Sequence, residues 1–454
     1  MPTENLIVSR IKKSLPHSID LIVQHAVNDQ IEVDFLYFST AIDHSLFYQL
    51  VSMPLFDSQS YEQFQEKLSI FGAKKSTTIT DAVNQMLQGS IVVVYYDDII
   101  CLNIKKVWNE DPEQTTTENV VLGSNKAFAE DITSKLSIVR TRYKRQELTA
   151  QQFEIGTQSH TKVMLVFDHE LAKPDVITLI QEKLRTINVD VLQSSGQLEK
   201  LLNKRRYSLF PTMMITERPD RATLCLAQGK VVILVEGTQF VLIMPAVFFD
   251  FMSAMDDLYQ SFWVSRLLVS LRYVSLFITL VLPSLYIAIV SYNPELFRVQ
   301  LTLSIAGSRA AVPYPSYIEV LFMLFMIEAL TEASLRLPKF IGSTATTVGG
   351  LILGQAAQQA GLVSSIMIII TSAVAISNFV IPINAMSFAM RFVKYVLILF
   401  ASLFGIIGTT VGLFLVIGYL VSLRSFGEPY LKISIGEKVV SFPSPSSAPD
   451  GEAT

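Results

Sequence analysis

The sequence predicts a multi-pass α-helical membrane domain preceded by a soluble α/β N-terminal domain of two small lobes. Three observations carry that prediction. Half of the 454 residues are hydrophobic and only 17% are charged. The mean hydropathy of +0.41 is high for a soluble protein of this length. The apolar residues are also unevenly placed. Residues 1 to about 239 alternate polar and apolar at ordinary soluble density, whereas later runs reach the roughly 20 apolar residues that a bilayer core demands. Finally, the first half divides into strand-length and helix-length segments punctuated by Gly and Pro.

Within the first half, "SIVVVYYDDIICLNI" (90–104) predicts a hairpin turning at Asp97-Asp98, and 124–148 predicts a helix capped by Ser124 or Asn125. "KVMLVFD" (162–168) predicts a strand, and "KPDVITLIQEKLRTI" a helix with Pro174 in its first turn. The run 221–245 reads as a meander of three apolar strands with turns at Gln228-Gly229 and Glu236-Gly237. These elements divide into residues 1–150, a first lobe with its linker helix, and 151–239, a second α/β lobe. No internal repeat is visible.

The membrane domain is expected over 240–432 with four to six helices. Residues 273–292 and 362–383 are each long enough to span, and 393–423 exceeds the need and is expected to tilt or break at its glycines. Two weaker segments, 317–336 and 341–358, lie between them. The aromatic stretch 246–272 suits the headgroup layer, and its Arg266 and Arg272 precede the first span, as a cytoplasmic flank requires. No apolar signal-peptide core appears in the first 20 residues, so the first half is expected to be soluble and cytoplasmic. The Pro/Ser-rich tail, 433–454, is expected to be disordered.

A net charge of -4 gives no basic field for nucleic acid. Cys101 and Cys225 sit in apolar runs and read as buried reduced thiols. Phosphate-loop, dinucleotide-binding, zinc-protease and nucleophile-elbow motifs are absent from the sequence, and the histidines have no ligand spacing. No catalysis, cofactor or metal is expected.

The charges that stand out are Glu328, Glu332 and Arg336, at i, i+4 and i+8 of an apolar helix. They read either as interfacial or as an inward-facing polar pathway, with Glu332 paired to Arg336 and Glu328 needing another partner. Ser343, Thr344, Gln355, Gln358 and Gln359 add polar groups at membrane depth and are candidates for a pore wall or subunit contact. Gly350 with Gly354, and Gly408 with Gly412, form two G-x-x-x-G helix-packing pairs. Glu217, Arg218 and Asp220 read as a structural clasp between the second lobe and the meander. The basic clusters Arg140, Arg142, Lys144, Arg145 and Lys204, Arg205, Arg206 read as solvated faces or as contacts to anionic lipid or an acidic partner.

Four blocks together resemble the A subunit of GerA-type spore germination receptors: "FPTMMITERPDRA" (210–222), "SRAAVPYP" (308–315), "EALTEASLRLPKFIG" (328–342) and "SFGEPYL" (425–431). The resemblance spans about Asn28 to Tyr430. It implies a nutrient germinant receptor subunit of the spore inner membrane. It implies partners too: a multi-spanning B-type subunit, a lipoprotein C-type subunit, and further copies of itself in a ring that conducts ions. The chain departs from the family pattern at Thr331-Glu332-Ala333, where the family usually has R-E-A, and at Gly123-Ser124-Asn125 in place of G-P-R. A stage V sporulation membrane paralogue, acting as a scaffold or accessory channel, also fits the pattern. A secondary transporter fits less well, because it predicts an internal repeat.

Overall fold

The computed structural model describes residues 5–15, 18–28, 31–106, 114–118, 120, 122–203, 208–336 and 339–432, with backbone alone over 334–347. The expected disorder of 433–454 falls outside the described residues, as does the basic run Lys204, Arg205 and Arg206.

The first lobe begins with α1 (Leu6–Ser14). It continues with β1 (Leu21–Asn28), β2 (Ile31–Phe38), and a helical stretch that includes α2 (His44–Phe47) and α3 (Met53–Phe56). Then come α4 (Tyr61–Ile70), β3 (Lys74–Ser76), α5 (Ile79–Leu87), β4 (Ser90–Tyr95) and β5 (Asp98–Asn103). Its antiparallel sheet has the order β1-β2-β4-β5-β3. Alternation along the strands gives the sheet two apolar faces. Val33, Phe35 and Val93 pack towards Phe64 and Leu68 of α4, while Leu36, Phe38 and Val92 pack towards Val8 and Ile11 of α1 and Val83 of α5.

The second lobe runs through α6 (Ile132–Arg142), β6 (Leu148–Ile155), β7 (Thr161–Asp168), α7 (Pro174–Thr186) and α8 (Ser195–Leu202). It is completed by β8 (Met214–Thr216), α9 (Pro219–Ala227), β9 (Val231–Val235) and β10 (Val241–Met244). Its sheet order, β6-β7-β9-β10-β8, is again antiparallel. Both lobes therefore have one helix, a hairpin, helices, an edge strand, a helix and a second hairpin, with the same strand order. The soluble half is a structural repeat.

Several sequence expectations change here. The helix expected over 124–148 is confined to α6, whose cap is Asp131; its side chain accepts from the amide of Ser134. The meander over 221–245 is a helix followed by a hairpin, and Cys225 lies on that helix rather than a strand. Residue 150 lies inside β6, and α6 packs on the second sheet, so the linker helix belongs to the second lobe. Residue 239 precedes β10, an inner strand between β9 and β8, so the lobe extends beyond it. β10 reads like the start of the apolar domain because all four of its residues are fully buried.

The helical half comprises α10 (Phe262–Tyr292), α11 (Val299–Arg309), α12 (Ser316–Arg336), α13 (Lys339–Gln359), α14 (Ser365–Val380) and α15 (Asn384–Ser422). A short tail hairpin follows, β11 (Arg424–Ser425) and β12 (Glu428–Pro429). Among the described residues, two helices are long and apolar enough to cross a membrane, α10 and α15. α15 breaks at Gly405, where φ is 58° and ψ -136°. A Cβ on Gly412 would stand 2.9 Å from Leu397, and one on Gly408 would stand 2.0 Å from the Phe400 carbonyl. In a straight helix with a 1.5 Å rise those partners are far apart. The chain therefore turns back on itself at Gly405, and Gly408 and Gly412 are the packing face of a helical hairpin. The Tyr292 ring covers the turn, and its hydroxyl donates to the Ser402 carbonyl at 2.5 Å.

Candidate functional site: a buried charge network linking the soluble lobe to the helical domain

The charges of the helical half sit between helices. Glu328 of α12 reaches α15, where its carboxylate accepts from Arg391 Nη1 at 3.1 Å and lies 3.3 Å from Lys394 Nζ. The Lys394 side chain is 1% exposed and that of Glu328 28%. One carboxylate thus serves two cations three residues apart on one helix face. Each cation also lies by an aromatic ring, Arg391 over Phe388 and Lys394 over Tyr395.

A second carboxylate, Glu319, is fully buried near the start of α12. Its Oε1 accepts from the Ser364 amide at 2.7 Å and hydroxyl at 2.6 Å, and Arg309 Nε is 3.3 Å from Oε2. Ser364 is the N-cap of α14. Glu319 therefore ties α11, α12 and the positive end of α14 together. Sequence reasoning missed it. The available signal was a lone carboxylate in the first turn of an apolar helix, ten residues after an arginine.

In the soluble half, the TERPD block (216–220) is wrapped by the linker between the two sheets, through Thr116, Thr117, Glu118 and Ser124. Glu217 accepts from the successive amides of Thr116 and Thr117, both at 2.6 Å, and of Glu118 at 3.3 Å. Arg218, fully buried, donates to the carbonyls of Glu118 and Ser124, both at 3.0 Å, and forms a fork to Asp220 at 3.1 and 2.6 Å. Arg221 pairs with Glu118 at 3.0 Å and donates to the Ser253 carbonyl at 3.2 Å. Burial pushes the Glu118 carboxyl up, and Arg221 opposes that rise. Pro219 starts α9 where no amide is needed. The three clasp residues thus hold the linker, not the meander, and through Arg221 the clasp reaches the approach to α10.

That approach is itself locked. Arg272, in the second half of the expected headgroup segment, is buried; it pairs with Asp257 at 2.5 and 2.8 Å and donates to the Met252 carbonyl. Phe248 is buried as well, whereas Phe262 and Trp263 are exposed. Arg140 is no solvated or lipid-facing charge. It is buried against Asp20 of the first lobe at 2.7 Å and stacks on Phe38, joining the lobes. Arg145 turns to Asp168 at 3.1 Å and to Glu170 at 2.7 Å.

The exit from α15 is bonded to the second lobe. The Tyr430 amide donates to the Leu423 carbonyl at 3.0 Å, and the Phe248 amide to the Tyr430 carbonyl at 3.0 Å. Ser425 Oγ donates to the Thr212 carbonyl at 2.7 Å and accepts from the Ala246 amide at 3.1 Å. The Tyr430 ring is fully buried among Phe210, Phe248 and Phe251, and one apolar core runs from β9 and β10 through Met386, Met390 and Val393 of α15. The second lobe is therefore bonded to the exit of α15 and packed against its first arm.

The remaining predicted residues are less central. Glu332 is exposed on α12, and the side chains of Arg336, Ser343 and Thr344 lie outside the description, so the Glu332–Arg336 pair does too. Gln355, Gln358 and Gln359 are exposed on α13. A Cβ on Gly350 would meet Leu330 of α12 at 3.4 Å, whereas one on Gly354 would meet nothing within 4 Å. Gly350 thus packs against α12, whereas Gly354 is buried with room for a methyl group.

The class defined by these features is a membrane-associated protein with a duplicated α/β headpiece bonded to a helical domain. The chain belongs to the Bacillus/Clostridium GerA spore germination protein family, whose model matches residues 9–441. It is 37% identical to spore germination protein B1 of Bacillus subtilis over 333 residues, 73% of this chain and 69% of that one. Identity to spore germination protein A1 of the same organism is 34% over 401 residues, covering 87% and 83%. The uncharacterized membrane protein YfkQ of B. subtilis is 35% identical over 391 residues, covering 86% and 76%. Among solved structures, the N-terminal domain of the A subunit of the Bacillus megaterium spore germinant receptor GerK3 aligns at 23% identity and a TM-score of 0.41, over 53% of this chain and 94% of that one.

Proposed function

We propose that the chain is the A-type subunit of a nutrient germinant receptor in the spore inner membrane, with its headpiece on the cytoplasmic side. In this reading it assembles with B-type and C-type subunits and with further copies of itself into an ion channel that starts germination. It performs no catalysis and holds no cofactor. The observation that carries the proposal, beside the family, is the continuous linkage from linker to clasp to α10, and from the second lobe through Tyr430 to α15. Such a linkage suits transmission of a change between a soluble domain and apolar helices. α10, α12, α13, α14 and the two arms of α15 then cross or enter the membrane. The Glu328–Arg391–Lys394 cluster joins α12 to α15 within it, where unpaired charge is expensive. The exposed face of α13, with Gln355, Gln358 and Gln359, meets the next copy or lines the conducting path.

The test is affinity capture of the tagged chain from spore membranes together with nutrient-triggered cation release. Capture of B-type and C-type subunits and loss of release on deletion support the proposal. The similarity to YfkQ favours a second reading, a paralogue that acts as scaffold or accessory channel. Under that reading neither partner is captured and release is unchanged.

A further inference from the structure

A cavity of about 270 Å³ opens where the soluble lobe meets the end of α15. Its wall comes from α7, the segments beside 203 and 208–212, and the turn from α15 into the tail hairpin. Among the described residues, two cations line it, Lys183 and Arg424, with the polar side chains of Asn203, Ser208, Thr212 and Ser422 and no carboxylate; the Ser208 and Ser422 hydroxyls already donate to the Phe210 and Tyr419 carbonyls. The cations come from different parts of the chain. Lys183 is held in place by its bond to the Leu202 carbonyl at 2.6 Å and by the Phe426 ring 4.3 Å away. Arg424 is exposed, and its guanidinium makes no hydrogen bond or ion pair among the described residues. The nearby acid Glu428 is turned away to Lys173.

We propose that this cavity binds an anionic phosphate ester, and specifically the headgroup of an anionic phospholipid. A phosphate offers several acceptor oxygens, which match a guanidinium fork and an ammonium. The lining also includes an apolar floor around Phe426, which receives the carbon substituent of an ester rather than a bare ion. The lipid source follows from position. Ser422 is the last residue of α15 and Arg424 follows at once, so the cavity lies where an apolar helix emerges from the bilayer. This step rests on the reading of α15 as a membrane hairpin. A bound headgroup bridges Lys183 of the headpiece to Arg424 of the helix exit, and so strengthens the tail latch.

The experiment measures binding to the full-length chain in neutral detergent, by native mass spectrometry and thermal unfolding, with phosphatidylglycerol, phosphatidylcholine and inorganic phosphate as probes. Arg424→Gln, Lys183→Gln and, as a surface control, Lys74→Gln accompany the unaltered chain. The expected result is preferential binding and stabilisation by phosphatidylglycerol, about tenfold weaker in Arg424→Gln, as loss of a charged hydrogen-bond donor implies, and unchanged in Lys74→Gln. Arg424→Gln keeps the test valid if Lys183→Gln fails to fold. Equal binding of both lipids, or undiminished phosphatidylglycerol binding in Arg424→Gln, overturns the site. Equal stabilisation by millimolar inorganic phosphate overturns the lipid assignment. Extraction of the chain from membranes by carbonate, without detergent, would instead count against the membrane reading on which the lipid source depends.

Discussion

Replacing Glu328 with Gln tests the helical charge cluster, and the geometry predicts an asymmetric outcome. The carboxylate lies between Arg391 and Lys394, and the lysine side chain is 1% exposed. Removing the carboxylate leaves two cations facing each other with no anion, one of them buried. Breaking a buried ion pair from one side costs about 3–5 kcal/mol, and the partial exposure of Glu328 argues for the lower end, about 3 kcal/mol. Lys394→Met leaves the Glu328–Arg391 pair in place and puts an apolar side chain in the buried position, so its cost is about 1 kcal/mol or less. An inward-facing polar pathway alone would let Glu328→Gln change conduction with little effect on assembly; the Arg391 and Lys394 partners reverse that. The assay is thermal unfolding of the full-length chain in detergent, beside subunit abundance in spore membranes. Equal destabilisation by the two variants, or none in Glu328→Gln, would refute the reasoning.

Four further outcomes are expected. Arg218→Ala removes the donors to two linker carbonyls and the partner of Asp220, and lowers stability by about 3 kcal/mol or more in denaturant unfolding; unchanged stability with lost germination would make the clasp part of a signal path. A fragment ending at residue 239 lacks β10, whose four fully buried residues contribute roughly 6–12 kcal/mol, comparable to the stability of a whole domain, so it aggregates where one ending after Leu258 does better in soluble yield. Gly408→Ala places a methyl group 2.0 Å from the Phe400 carbonyl and disrupts the hairpin, whereas Gly354→Ala leaves the isolated chain unchanged; equal melting temperatures for the two would contradict the fold of α15. Lys135 is fully buried against the Val235 and Thr238 carbonyls, and burial lowers it to about 8. The unfolded chain then binds the extra proton between about pH 8 and the usual lysine range near 10.4, so the stability of the native chain relative to Lys135→Met rises with pH across that window and is flat below it; a difference that falls as pH rises would refute this.

Local elements were legible where one rule decided them. The hairpin at 90–104 stands with its turn one residue earlier, at Tyr96-Asp97, and the strand at 162–168 and the Pro174 helix stand as read, because turn residues and period agree there. The break in 393–423 was legible in its glycines, though not that the chain reverses. The stretch 221–227 was misread because its apolar residues suit either a strand or a buried helix, and only packing on β9 decides. The domain boundary slipped because a strand buried on both faces resembles the start of a membrane run. Charge partners were the least legible. Glu328 finds its cations on α15, and Arg140 finds Asp20 in the other lobe, at separations no local spacing rule covers. The repeat of the two lobes is likewise a matter of strand order, which diverged sequences do not display.

The most direct test of the central claim is nutrient-triggered cation release from spores in which this chain is the sole member of its family. The receptor account predicts release with the unaltered chain, none after deletion, and strongly reduced release with Glu328→Gln. Release that is unchanged by deletion would contradict it.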